Sequence, residues 1–231
     1  NAPTWFYMQS GYSSSVINMT GGTVNCGDFP NYSGTVNHSG GSIISSGYYR
    51  ENSSSGGIYY GSGTALLKVS TYMRLMRAGN YFNDLEIIGV SSYVFTDSTQ
   101  SLDINGDFTV NTSKVFDTNG YDIAIDGNVD IDGTVTANDT IFTAGGDWDH
   151  SGGTFTYDTS TVILTGASVA LDTGGNATTK RFYNLQLTTA GQTVTLTNQL
   201  AIQNVLTIGS TSGSKVTLTD GASDYTLYLY K

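Results

Sequence analysis

Hydrophobic and polar positions alternate with a period of two along most of this chain. The clearest stretch covers residues 122–135, where the apolar positions are Ile123, Ile125, Val129, Ile131 and Val135. The intervening polar positions are Asp122, Asp126, Asn128, Asp130 and Asp132. Because successive side chains of a strand point to opposite faces, the pattern predicts strands with one face in a core and one in water. Residues 66–76 also fit a helical period, but their alternation favours a strand.

Turn residues follow the apolar alternation at a repeating interval. They are Gly89, Gly106, Gly127, Gly146, Gly166, Thr189, Asn204 and Asp220. The mean step is about 19 residues, which is typical of one coil of a solenoid whose corner loops vary in length. Coils of that size predict about 12 turns and, at a strand spacing of about 4.8 Å, a rod about 55 Å long.

A longer repeat relates the two halves of the chain. His38-Ser-Gly-Gly recurs at His150, residues 82–85 resemble 182–185, and residues 102–110 resemble 200–208. This similarity divides the chain into an irregular N-terminal cap or assembly segment at 1–37 and long repeats at 38–149 and 150–231. The two histidines occupy the same repeat position, so we interpret them as structural turn residues.

Recurring equivalent residues predict an all-β, right-handed parallel β-helix with an irregular N-terminal cap. One apolar face cannot be buried by a single coil, so neighbouring coils must stack. Short strands with turns also occur in sandwiches, and two antiparallel β-sandwich repeats are the alternative fold.

Residues 146–208 resemble a repeat of very large bacterial and archaeal surface proteins. The matching pieces are Gly146-Asp-Trp148, Ser151-Gly-Gly-Thr-Phe155, Thr161-Val-Ile-Leu164, Phe182-Tyr-Asn-Leu185 and Val194-Thr-Leu196 through Leu206-Thr-Ile208. The resemblance implies a right-handed β-helix of the filamentous-haemagglutinin or adhesin type. It also implies a stalk, adhesin or filament and brings no catalytic residues. A weaker copy begins near residue 38, and the resemblance does not extend before it.

Charge and composition exclude several functions. Charged residues make up 12% of the 231 residues, and the net charge is −10. Nucleic-acid binding requires a clustered basic surface, which nine Lys and Arg residues spread along the chain do not provide. No apolar run is long enough to span a bilayer. The single cysteine, Cys26, is expected to be a small packed residue.

The sequence predicts no enzyme and no cofactor. It contains no Gly-x-Ser-x-Gly element, and two histidines do not form a zinc site. Paired carboxylates across coils could support glycosidase chemistry, with Asp103, Asp126, Asp130 and Asp147 as candidates. The outward row of Asp126, Asp130 and Asp132 is a weak cation site that could hold calcium loosely, although the glycine and the closing glutamate of an EF-hand loop are missing.

Asn-x-Ser/Thr sequons predict glycosylation of a surface protein. They occur at Asn18, Asn31, Asn37, Asn52, Asn111, Asn138 and Asn176.

We therefore expect an extracellular or cell-surface structural or adhesive solenoid. It would be a filament subunit assembling head to tail, or a stalk segment of a larger surface protein. An apolar terminal strand that pairs on one side only invites another chain, and the predicted contact residues are Thr4, Trp5, Phe6, Tyr7, Tyr225, Leu227 and Leu229. The alternatives are a carbohydrate-binding module or polysaccharide-active β-helix enzyme, and an ice-binding solenoid using Thr193, Thr195 and Thr197.

Overall fold

The computed structural model describes residues 15–51, 57–89, 92–94, 100–210, 214–221 and 223–230. These residues form 24 strands and one short 3-10 helix, η1 (Thr178–Lys180). All pairings between the strands are parallel. The predicted parallel β-solenoid is confirmed, and the antiparallel sandwich alternative is wrong because no antiparallel pair occurs among the described strands.

The strands stack in four sheets. The ten-stranded sheet contains β1 (Val16–Cys26), β3 (Thr35–Ser45), β5 (Ile58–Val69), β7 (Asp84–Ile87), β10 (Phe108–Val110), β13 (Val129–Ile131), β16 (Trp148–Asp149), β19 (Ser168–Asp172), β21 (Thr193–Leu196) and β23 (Thr217–Thr219). The seven-stranded sheet contains β9 (Leu102–Ile104), β12 (Ile123–Ile125), β15 (Ile141–Ala144), β18 (Thr161–Leu164), β20 (Phe182–Leu187), β22 (Leu200–Ile208) and β24 (Leu227–Leu229). The four-stranded sheet contains β8 (Ser92–Val94), β11 (Val115–Asp117), β14 (Thr134–Thr136) and β17 (Thr154–Thr156). The three-stranded sheet contains β2 (Phe29–Pro30), β4 (Tyr49–Arg50) and β6 (Met73–Arg74).

One inward-facing column of the ten-stranded sheet fixes the number of coils. Its members are Val24, Ile43, Leu67, Leu85, Phe108, Val129, Trp148, Leu171 and Leu196. The solenoid therefore has about nine turns and is about 43 Å long at a strand spacing of about 4.8 Å. The prediction of 12 turns is wrong because the coils are longer than the turn residues indicated. Successive partners lie between 18 residues (Leu67 to Leu85) and 25 residues (Leu171 to Leu196) apart.

The alternation predicted for residues 122–135 is confirmed. Ile123, Ile125, Val129, Ile131 and Val135 are buried, and the polar residues between them are exposed. A buried side chain of this size contributes about 1.5–3 kcal/mol relative to an exposed one, so the stacked columns supply most of the stabilisation. Residues 66–76 are also extended, but β5 and β6 are separated by a bend.

Corner glycines let consecutive coils approach closely. The Gly127 amide donates to Gly106 O (3.0 Å), and the Gly146 amide donates to Gly127 O (2.8 Å). A Cβ on Gly127 would lie 2.4 Å from Gly106 O, a contact that no side chain tolerates. Gly127, predicted as a turn residue, therefore lies at a corner where the backbones of two coils approach closely.

The first described coil stacks on the second along its ten-stranded wall. Residues 16–26 pair in register with residues 35–45, apart from shifts at the corner near Thr20. Residues 16–26 therefore stack on the next coil, whereas residues 1–14 of the predicted cap lie outside the described residues.

Candidate functional surfaces

Exposed apolar side chains collect at the two ends of the solenoid. Among the described residues, six large hydrophobics are exposed: Val16, Ile141, Val205, Ile208, Leu227 and Leu229. All except Ile141 lie in the first or the last coils. Soluble proteins rarely leave such side chains clustered in water without a function.

Three strand edges are open at the C-terminal end of the described chain. β23 is the last strand of the ten-stranded sheet, and β24 is the last strand of the seven-stranded sheet. β24 covers only residues 200–202 of β22. Residues 205–208 pair with β20 and have no strand on their other side within the described residues.

The predicted contact residues are only partly placed. Thr4, Trp5, Phe6 and Tyr7 lie outside the described residues. Leu227 and Leu229 lie on the open strand β24, and Tyr225 packs partly against the core. Sequence reasoning missed Val205 and Ile208, because it assigned Leu206-Thr-Ile208 to a regular interior coil.

The last strand is attached to the solenoid wall through Arg181. Its guanidinium carbon lies 3.7 Å from the ring centroid of Tyr230, within the range of a cation–π contact. Its Nη1 donates to Gln203 Oε1 (3.0 Å), and its Nε donates to Asn176 O (3.2 Å). The side chain thus connects three coils.

Both histidines are buried in the core. His38 Nδ1 lies 2.5 Å from Tyr59 Oη, and His150 Nδ1 accepts from Trp148 Nε1 (2.9 Å). Burial lowers the pKa of both imidazoles, that of His150 to about 3, so both rings are neutral near pH 7.

The two histidines do not occupy equivalent positions, contrary to the predicted long repeat. Ile43 and Trp148 belong to the same inward-facing column of the ten-stranded sheet. His38 comes five residues before Ile43, whereas His150 comes two residues after Trp148. The shared His-Ser-Gly-Gly sequence lies at two different corners of the solenoid. The match reflects similar turn chemistry rather than equivalent places in the fold.

Asp and Asn side chains at one corner accept backbone amides of the next coil. In each of four such bonds, a backbone amide donates to a side-chain Oδ1 of the preceding coil at 2.7–3.0 Å. The donor and acceptor residues are Asp107 and Asp84, Asn128 and Asp107, Asp147 and Asn128, and Ala170 and Asp147. Asp147, a catalytic candidate, thus has a structural partner. The signal was present in the sequence as a glycine followed by Asp or Asn at 106, 127 and 146.

The proposed cation residues are not gathered into a site. No group of three or more His, Cys, Asp or Glu side chains among the described residues could hold a metal ion. The pKa of Asp130 is raised mainly by partial burial and also by the negative charges of Asp132 and Asp149. The pKa of Asp103 is raised mainly by burial and also by the negative charge of Asp126. These acids form repelling rows on the outer wall.

Glu51 is a buried carboxylate that sequence reasoning missed. Its Oε2 accepts the amides of Met76 and Arg77 (2.8 Å each), and its Oε1 accepts Tyr49 Oη–H (3.2 Å). Burial raises its pKa to about 7, although the two amides favour the charged form. Glu51 therefore caps the turn after β6 from inside the coil.

Sequons differ in accessibility. Asn31 is fully buried, so the folded chain cannot present it to a modifying enzyme. The Nδ2 atoms of Asn37, Asn111 and Asn138 donate to Asn18, Glu86 and Asp117, respectively. Asn18 is exposed, Asn176 is half-buried, and Asn52 lies outside the described residues. Glycosylation stays a prediction for the surface positions.

Cys26 is packed inside the first coil, where its Sγ lies 3.6 Å from Ile44 O. Burial, followed by the nearby charge of Asp28, raises the pKa of this thiol to about 11. The thiol is therefore protonated at neutral pH and is not exposed as a nucleophile.

A cleft opens beside the last strand of the four-stranded sheet. After β19 the chain makes an excursion through η1 instead of adding a strand to β17. The cleft is lined by Phe155, Thr156, Tyr157, Asp158, Thr178 and Thr179. The lining thus contains two aromatic residues, three threonines and one aspartate.

The chain matches no family model, no curated protein and no solved structure. Within the described part of the chain, no helix qualifies as a membrane span. The link to haemagglutinin-type repeats therefore stays a prediction.

Proposed function

We propose that this chain is an extracellular structural solenoid that assembles head to tail through its end coils. The observation that carries the proposal is the position of the exposed apolar side chains. Five of the six large ones among the described residues lie in the end coils. An apolar strand edge that lacks a neighbour on one side favours pairing with another strand.

A second inward-facing column of side chains begins at Met19 in the first described coil and ends at Ile208. Met19 stacks on His38, and His38 stacks on Gly61. The same face continues from Phe82 through Ile104 and ends at Ile208. A second copy added in register at the C-terminal end would place its Met19 over Ile208 and its Ile17 over Leu206.

This contact is directional because every described sheet is parallel. The free edge at one end can continue only into the opposite end of another copy. Such a heterologous contact does not close on itself and produces an open fibre. In a stalk segment of a larger surface protein, further coils of the same polypeptide would cover these edges and the same side chains.

The assignment to the cell exterior is supported by the resemblance of residues 146–208 to surface-protein repeats and by the sequon at the exposed Asn18. The absence of an enzymatic role is an expectation from the sequence. Ice binding has little structural support. In the following coil, Thr193 and Thr195 stack on Thr217 and Thr219. In the preceding coil they stack on Ser168 and Ala170 instead. The threonine array is thus only two coils long.

Point variants at the ends test the assembly without truncating the chain. We expect wild-type protein to form fibres with increasing concentration, observed by electron microscopy and sedimentation velocity. The double variant Ile208→Asp, Leu229→Asp should remain monomeric because charges would face the incoming apolar strand. Ile141→Asp is the matched control, because Ile141 is about as exposed as Ile208 (42% against 45%) but lies in the middle of the wall.

Mixing two blocked variants tests the polarity of the contact. Val16→Asp blocks the N-terminal end, and the double variant blocks the C-terminal end. Each alone should be monomeric, whereas an equimolar mixture should form dimers and nothing larger. Fibres formed by either end variant, or loss of fibres in Ile141→Asp, would contradict head-to-tail assembly. A monomeric wild type would contradict it as well and favour a stalk segment.

A further inference from the structure

The cleft between β17 and η1 exists because one coil replaces a strand with an excursion. The four-stranded sheet ends at β17. The next coil leaves β19 and passes through Gly174 and Gly175, both with positive φ, before η1. η1 lies beside β17, with Cα atoms within 8 Å, but it adds no strand to the sheet, and the cleft lies between the two.

The excursion is fixed at both ends. Thr173 Oγ1 donates to Gln199 O (2.6 Å), and the Gly174 amide donates to Asp172 Oδ1 (2.8 Å). Lys180 Nζ donates to the carbonyls of His150 and Ser151 (2.9 Å each) and also to that of Gly153. These bonds preorganise the cleft, which reduces the entropic cost of binding a ligand.

The free edge of β17 supplies backbone hydrogen-bonding groups. The Thr154 amide donates to Gly133 O (2.7 Å), and Thr156 O accepts the Ala137 amide (2.9 Å). Because alternate residues of a parallel strand bond to opposite neighbours, the amide and carbonyl of Phe155 point to the side of η1. One donor and one acceptor are thus directed at the cleft.

The side chains of the cleft favour a neutral polyhydroxylated ligand. Thr156, Thr178 and Thr179 offer hydroxyl groups that both donate and accept, and Asp158 offers an exposed carboxylate. Phe155 is fully buried, so Tyr157 is the aromatic residue at the wall. Two cations lie nearby, and both already have partners. Lys180 is bonded to three carbonyls, and Arg181 is bonded to Asn176 O and Gln203 Oε1 and lies over the Tyr230 ring. No cation among the described residues lines the cleft itself.

We propose that this cleft binds a neutral sugar ring of a glycan. The lining combines an aromatic residue, several hydroxyls, one carboxylate and two backbone groups, which match the apolar face and the hydroxyl groups of a sugar. A uronic or sulfated sugar would instead meet Asp158 without a compensating cation. The proposal does not depend on head-to-tail assembly.

Isothermal titration calorimetry with neutral oligosaccharides tests the proposal. The panel contains gluco-, galacto-, manno- and N-acetylglucosamine oligomers, with an oligogalacturonide for comparison. We expect one neutral class to bind at millimolar concentration or below. Tyr157→Ala and Asp158→Asn should each weaken binding by about tenfold, as expected for loss of one good contact.

Two control variants separate binding from folding. Tyr60→Ala removes a tyrosine that stacks on Tyr81 elsewhere on the wall. Asp224→Asn makes the same change at another aspartate with positive φ (51°), as at Asp158 (42°), where asparagine also fits. Both controls should bind like wild type. The proposal is overturned if no neutral oligosaccharide binds, if only the uronate binds, or if the cleft variants bind like the controls. Fibre formation by the cleft variants, measured separately, keeps this result independent of the assembly test.

Discussion

Replacing Glu51 with glutamine should change how the stability of the solenoid depends on pH. The Glu51 carboxyl is fully buried, and its pKa is raised from 4.5 to about 7. The folded chain therefore binds this proton more tightly than the unfolded chain does. The stabilisation by protonation is fully present below about pH 4.5 and is lost as the pH rises through about 7.

The size of the effect follows from the pKa difference. Each pKa unit corresponds to about 1.4 kcal/mol, so the wild-type free energy of unfolding should lose about 3 kcal/mol from this group between pH 4.5 and 7.5. The glutamine side chain of Glu51→Gln cannot ionise, yet its carbonyl can accept the Met76 and Arg77 amides and its amide can donate to Tyr49 Oη. The variant should lack this slope, and its advantage over wild type should grow as the pH rises.

Urea unfolding followed by circular dichroism at several pH values between 4.5 and 7.5 measures this difference. Other titrating groups contribute equally to both proteins and cancel. The matched control is Glu86→Gln, at the only other glutamate of the chain, which forms a partly exposed pair with Lys68 (2.5 Å). That change should alter stability by less than about 1 kcal/mol. Equal slopes in wild type and Glu51→Gln would refute the reasoning, and a stability loss that grows with pH would show that the two amide donors outweigh burial.

Two further predictions concern the corners and the core. Gly127→Ala should destabilise the chain by several kcal/mol, because its Cβ would lie 2.4 Å from Gly106 O and the backbone would have to shift. Gly21→Ala, with nothing within 4 Å of its added Cβ, should be nearly neutral in the same thermal melts. The pKa of His150 is lowered to about 3, so its imidazole should show no titration by NMR between pH 8 and 5. Because the unfolded chain takes up this proton first, the free energy of unfolding should decrease as the pH falls from about 6.5 toward 3. A midpoint near pH 6.5 would mean that the Trp148–His150 pair is not buried as described.

Local patterns predicted the strands and their faces well. The alternation at residues 122–135 indicated which side chains are buried, because side-chain direction in a strand depends only on position along the chain. Repetition of the same pattern indicated stacked parallel coils. The turn at Gly127 was also predicted, because the apolar alternation is followed there by a turn residue.

The repeat alignment and the functional surfaces were less predictable. The two His-Ser-Gly-Gly sequences matched letter for letter but lie at different corners, because turn sequences depend on local backbone geometry and not on which corner they form. The Glu51 cap gave no sequence signal, since its partners are backbone amides 25 and 26 residues away. The cleft likewise depends on the path of the excursion around η1.

The sequence by itself determined that this chain is a stack of parallel strands with apolar residues inside. Only the tertiary structure decided the number of turns, the burial of Glu51, the cleft beside β17 and the residues exposed at the ends. Leu185 and Leu187 have the same alternation as Leu206 and Ile208. The first pair is buried and the second is not fully covered, because a further strand stacks on β20 whereas none among the described residues covers the end of β22. Strand alternation is a local property, whereas burial in a solenoid requires a coil on both sides.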